Sequence, residues 1–227
     1  MLLLLLAALL WLGLHLGLAG TRLRDPVAAR LGEAGFRIGF SLASAAALAL
    51  LILAWRRAET LPLWSAPGWL RWVLAFAMLP AFILFAASLT APNPTAIGGG
   101  GLRAGAARGI QRVTRHPMLC AIGLWATLHL IANGDTASLL FFGTLLLTVL
   151  AGMPSLDAKL ARRAPEAWAP LVAATSILPF GAILAGRNRL ALREIGWLAP
   201  LLGLLAWAAI LHLHPRLFGA PVLLAAS

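Results

Sequence analysis

The chain has 227 residues, 61% of them hydrophobic and 11% charged, with a formal net charge of +11 and a mean hydropathy of +0.91. That composition excludes a soluble globular protein and describes an integral membrane protein. The basic balance therefore speaks of loop orientation and not of nucleic acid, and the one cysteine, Cys120, leaves no internal disulfide.

In chain order, residues 2–18, 36–55, 69–89, 118–132, 137–153 and 197–213 are apolar runs, and each predicts a transmembrane helix. The first run has no Lys or Arg before it and is followed by Arg22 and Arg24, the wrong polarity for a cleaved signal, so it is expected to stay as a helix. Of the 18 basic residues, Arg56, Arg57, Arg71 and Arg216 lie on one side and the rest lie on the other, in loops after spans one, three and five. The positive-inside rule then places both termini outside the cytoplasm. Residues 171–184 are apolar but are broken by Pro179 and preceded by Pro170, which predicts an interfacial or re-entrant segment. Were that segment to cross, the carboxyl end would move inside. The expected fold is all-α: a polytopic helix bundle of about six transmembrane helices in one domain, 1–227, embedded in the lipid bilayer.

The loop of residues 90–115 carries Pro92, Pro94 and the run Gly98 to Gly101, with no Gly-Lys-Ser or Gly-Lys-Thr after it, so it reads as a linker and not as a phosphate loop. Arg108, Arg112 and Arg115 recur at i, i+4 and i+7, which predicts one face of a helix approaching the membrane. Such a face suits anionic lipid or the propionates of a bound cofactor.

Three of the five histidines lie in or at the edge of apolar runs. His129 sits inside an uncharged stretch, where an imidazole needs a partner. Two phrases repeat: Trp11-Leu-Gly-Leu-His15-Leu and Trp125-Ala-Thr-Leu-His129-Leu. In each, Trp lies one turn before His on a shared face. Ala8 and Ala19 flank the first site and Ala126 and Ala132 the second, leaving room for a flat ligand beside an axial imidazole. The competing reading is plain packing, each histidine donating to a backbone carbonyl.

His116 and His129 are about 140 degrees apart around a helix, so they serve different roles. Preceding Pro117, His116 reads as a helix-start or interfacial residue, and His212 and His214 as interfacial. Asn133-Gly134-Asp135 predicts a tight turn with Asp135 as the next N-cap, and Asn133 is placed at i+4 to orient His129. Without Cys-x-x-Cys-His there is no covalent c-type haem attachment.

Together these stretches resemble the NnrU family. The resemblance is carried by GIQRVTRHPMLCAIGLWATLHLIANGDTASLLFFGTLLLTVLAGMPSLDAKLARR (109–163), by His15, by LGEAGFRIGFSLAS (31–44) and by AATSILPFGAI (173–183). It implies a link to nitrite and nitric oxide reduction in denitrifying bacteria. It also implies kinship with zeta-carotene isomerase, a membrane protein with b-type haem between two histidines. The ligands it implies for a haem b are His15 and His129; the spacing read above adds Trp11, Trp125, Asn133, Arg112 and Arg115 as residues expected around that cofactor. Three functions follow as expectations: support of a nitrite or nitric oxide reductase system, haem-dependent cis-trans isomerisation of a carotenoid-like polyene, or a cofactor-free membrane scaffold or assembly factor. In antiparallel helices the two ligands would differ in depth by about 13 Å.

Overall fold

A computed structural model describes residues 1–91 and 107–223 of the chain. Pro92, Pro94, the run Gly98 to Gly101 and Arg103 lie outside the described residues. Each expected span is helical: α1 (Leu2–Leu12) continuing into a π-helical turn at Gly13–Ala19, α2 (Arg24–Arg57), α3 (Gly68–Ala77) with α4 (Leu79–Thr90), α5 (Pro117–Ala132), α6 (Thr136–Arg163), and finally, past three short helices, α10 (Leu198–Phe218). Five of these segments are long and apolar enough to cross a membrane, and α5, with 16 residues, is the shorter sixth. The fold is all-α apart from one pair of very short strands.

Departures from a plain helix have local causes. At 34 residues, α2 would be about 51 Å long, well beyond a hydrocarbon core of about 30 Å. It is broken at Gly32, whose φ of 74° and ψ of 159° only glycine adopts without strain. The polar turn Arg24 to Leu31 is thereby separated from the apolar stretch that follows. Between α3 and α4 the helix breaks at Met78, just before Pro80, which has no N–H to continue the ladder.

Residues 165–195 make α7 (Pro165–Ala174), α8 (Gly181–Leu184) and α9 (Leu192–Ile195), none long enough to cross a bilayer. This matches the interfacial reading of 171–184. Asn133 to Asp135 is not a tight turn. It forms β2 (Asn133–Asp135), antiparallel to β1 (Pro62–Ser65), with Trp64 opposite Gly134. Glycine is required there, because an added Cβ would come within 2.2 Å of the Trp64 carbonyl oxygen. Asp135 does cap α6, accepting from the Ser138 N–H at 2.9 Å and from the Thr60 hydroxyl at 2.6 Å. Buried carboxylates are costly to ionise, yet these donors outweigh that cost and hold Asp135 below its ordinary value.

The chain packs as two compact units, each built from two stretches. The first comprises Met1–Ala66 and His129–Leu156, the second Pro67–Leu128 and Asp157–Ser227. In the first, Leu4, Ala7, Leu51, Ala54 and Val149 are among the buried side chains. In the second, Leu84, Ala87, Ile110, Val113, Ala121 and Ala199 form one core cluster, and Ala107, Trp168 and Leu171 another.

Candidate functional site

In the first unit, His15 lies in the π-helical turn Gly13–Ala19. Such widened turns recur at functional positions in helices. Its Nδ1 donates to the Trp11 carbonyl at 3.0 Å. That bond requires the proton on Nδ1 and leaves Nε2 as a bare lone pair, the form in which imidazole binds metals.

The ring is fixed from both sides. Trp11 stacks on it at 3.8 Å with 25° between planes, and Phe40 meets it edge-on at 5.3 Å. Each wall is held in turn: the Trp11 indole N–H donates to Thr148 on α6 at 2.9 Å. Phe40 stacks on Phe36, which the Arg24 guanidinium covers at 4.6 Å, and Arg24 is ion-paired with Glu33.

Ala8 is buried in packing and does not open space for a ligand. Gly13 and Gly17, two residues to either side of His15, lie on the opposite face of that turn, and an added Cβ there would meet nothing within 4 Å.

The second phrase is built differently. The His129 ring stacks on Phe142 of α6 at 4.7 Å. The Asn133 amide donates to the His129 backbone carbonyl at 2.9 Å, so its amide group serves the peptide at the end of α5 and not the imidazole. Trp125 is half-buried one turn before His129 on the same helix.

The two histidines differ in depth as expected. Trp11 meets Thr148, and Ser155 donates to the Gly20 carbonyl, so the first helix runs parallel to α6. His15 is therefore level with a point midway between Thr148 and Ser155, near Ala151. His129 is level with Phe142, about nine residues or 13 Å away along α6.

In the second unit, Arg112 and Arg115 do not share a helical face. Only Gly109–Arg112 is helical, as a 3-10 turn. The chain beyond it leaves the helix to bond with another segment: Phe180 donates to the Val113 carbonyl at 2.8 Å and Arg115 N–H to that of Ser176 at 3.1 Å. Arg112 binds both Glu194 oxygens, at 2.8 and 2.9 Å, and Asn188 at 3.0 Å. This pairing raises the Arg112 guanidinium and holds Glu194 down at about 2. Arg115 binds the Asp157 carboxylate, at 2.9 and 2.5 Å. Those carboxylates occupy the donors that the propionate reading required.

His116 stands at the start of α5, its carbonyl accepting from the Cys120 N–H at 2.9 Å. It is 0% exposed, and its Nε2 lies 2.7 Å from the other Asp157 oxygen. Its Nδ1 is buried with no hydrogen-bond partner among the described residues. Local reading missed this buried trio because Asp157 lies 41 residues on in sequence. The available signal was an acid in α6 just past its apolar stretch, three residues after Pro154. Cys120, one turn after His116, donates to the Ile177 carbonyl at 3.4 Å. Among the described residues no three His, Cys, Asp or Glu side chains gather into a metal site.

Six apolar helices, one leading into a turn that holds an imidazole whose second ring nitrogen has no partner among the described residues, define a multi-pass membrane protein. Residues 3–222 match the NnrU family, described as NnrU protein, and the chain belongs to that family. It is also similar to two proteins named 15-cis-zeta-carotene isomerase, chloroplastic. The one from Zea mays is 34% identical over 82 residues, 36% of this chain and 22% of the relative. The one from Arabidopsis thaliana is 34% identical over 80 residues, 35% of this chain and 22% of the relative. The matched region thus spans about a fifth of each curated relative. No solved structure matches significantly.

Proposed function

We propose that His15 and His129 of the first unit would hold a b-type haem, and that the protein isomerises a cis double bond in an apolar polyene. The observation that carries this is His15 itself: a half-buried imidazole with its Nδ1 proton spent on a backbone carbonyl and its Nε2 without a partner among the described residues. This donor chemistry fits a haem iron. The depth difference from His129 is the constraint that a shared iron has to meet. When bound, a ferrous haem would supply a redox-controlled Lewis acid for a polyene.

The chain's own residues do the rest. Trp11 and Phe40 orient the imidazole and keep water from it. The Nδ1 bond fixes the tautomer, so no proton has to leave before Nε2 coordinates. The polyene is suggested by the relatives' name. Support of a nitrite or nitric oxide reductase system, implied by the family, rests on no feature of the described residues and is put second.

A pyridine haemochrome assay on detergent-purified protein tests the reading. His15→Ala and His129→Ala are each expected to lose haem or turn it high-spin. His116→Ala, normalised to folded protein, should keep the wild-type spectrum. Wild-type protein without a Soret band after haem-supplemented expression would refute the cofactor. Loaded protein in liposomes that leaves 15-cis-zeta-carotene unconverted would refute the substrate.

We also propose that six crossings place both termini on the periplasmic side of a bacterial inner membrane, since the loop after α6 holds no crossing helix and most Arg residues then face the cytoplasm. Reporter fusions after Ser227 and after Arg112 are expected to report opposite sides, the first periplasmic. A cytoplasmic signal from the Ser227 fusion would overturn this topology.

A further inference from the structure

We propose that the second unit carries a binding site for the phosphodiester headgroup of an anionic phospholipid, in the cleft between the end of α7 and the segment before α9. The cleft has a volume of about 420 Å³ and is lined by Arg112, Arg187, Asn188 and Arg189 over Ala107 and Ala174.

Two of its three guanidiniums, Arg187 and Arg189, have no carboxylate partner among the described residues. Glu194, the carboxylate bonded to Arg112, is spent on that guanidinium and on the Gly109 N–H. The Arg187 Nη1 donates to the carbonyls of Val172, Ala173 and Thr175 at 3.2, 2.7 and 3.0 Å, at the open carboxyl end of α7. That triple bond fixes the guanidinium, and its Nε and Nη2 donors have no partner among the described residues. The Arg189 side chain likewise makes no hydrogen bond or ion pair among the described residues, while its backbone N–H donates to Asn188 at 2.6 Å. One fixed guanidinium, with a second one unengaged in the same cleft, suits the paired oxygens of a phosphate.

The surroundings select a lipid over a free anion. Leu178, Leu184 and Leu192 bracket the cleft in sequence and are 72%, 85% and 69% exposed. Leucines so exposed beside a charged cleft belong at the boundary between hydrocarbon and water, where phosphodiesters are the abundant anion. This site is independent of the haem reading, which concerns the first unit.

The test is native mass spectrometry on the delipidated full-length protein, reloaded with phosphatidylglycerol or with phosphatidylcholine. Wild type is expected to retain phosphatidylglycerol preferentially. Arg189→Gln, which breaks no hydrogen bond of the fold, should weaken retention roughly fivefold, and Arg187→Gln with Arg189→Gln roughly twenty-five-fold. Arg56→Gln with Arg57→Gln removes the same charge elsewhere and should retain the lipid like wild type. Unchanged retention in Arg189→Gln, or equal retention of phosphatidylcholine, overturns the site. Complete displacement by excess inorganic phosphate that itself stays bound overturns the lipid and assigns a soluble phosphate compound instead.

Discussion

Asp157→Ala is expected to remove folded protein from the membrane fraction. The carboxylate holds Arg115, 8% exposed, at 2.9 and 2.5 Å, and His116, fully buried, at 2.7 Å. Deleting it leaves a guanidinium buried without its counter-charge, a loss of about 3–5 kcal/mol in comparable pairs. It also strips the imidazole of the partner of its Nε2, when its Nδ1 already has none among the described residues, a further penalty of about 1–3 kcal/mol. Together these approach the whole stability of a domain, about 5–15 kcal/mol.

Asp157→Asn keeps the shape and one acceptor, so it should fall between. Arg115→Ala should be milder than Asp157→Ala, because it leaves the carboxylate, 16% exposed, with its histidine partner. Fluorescence-detected size exclusion and a thermal melt in detergent give the ranking. An Asp157→Ala protein that expresses and melts like wild type would show that the trio does not hold the second unit together.

How far the sequence reveals this protein depends on the range of each interaction. The six spans were legible because a bilayer demands long apolar runs, a constraint that acts locally on each segment. The interfacial 171–184 segment was legible for a similar reason, since Pro170 and Pro179 interrupt it. His15 was legible as a held imidazole, because its Trp11 partner is one turn away. His129 was only half so: its stacking partner Phe142 lies on the next helix, and no local periodicity shows that.

The Arg108, Arg112 and Arg115 face failed because helical spacing counts only where the backbone is helical. Here the chain after Arg112 bonds instead to residues 176–180. The β1–β2 pair was invisible for the same kind of reason. Asn133-Gly134-Asp135 has the composition of a turn, and only the distant Pro62–Ser65 makes it a strand. His116 is the clearest case, since Pro117 gave it a sufficient local explanation and hid the distant carboxylate that buries it.

Gly203→Leu is the second substitution expected to have a large effect, in this case by forcing α10 away from α4. An added Cβ at Gly203 would lie 2.7 Å from the Ile83 Cα and 2.8 Å from its backbone nitrogen. Backbone cannot rotate aside as a side chain does, so the helices must separate. Close approach at small residues is what binds helices within a membrane, where lipid competes equally for apolar surface. Separation also pulls the Trp207 indole from the Ala75 carbonyl, now 2.7 Å away.

Overpacking of a well-fitted core costs about 1–3 kcal/mol, and a backbone clash belongs at or above the upper end. Gly203→Ala already introduces the clashing carbon and should lower the melting temperature measurably, with Gly203→Leu worse. The contrast is Gly152 in α6, where an added Cβ meets nothing within 4 Å. There Gly152→Ala should be neutral or stabilising by about 0.5–1 kcal/mol, because alanine restricts the unfolded chain and suits a helix interior. If Gly203→Ala and Gly152→Ala shift the melt alike, propensity alone governs both sites, and the α4–α10 contact does not set the stability of the second unit.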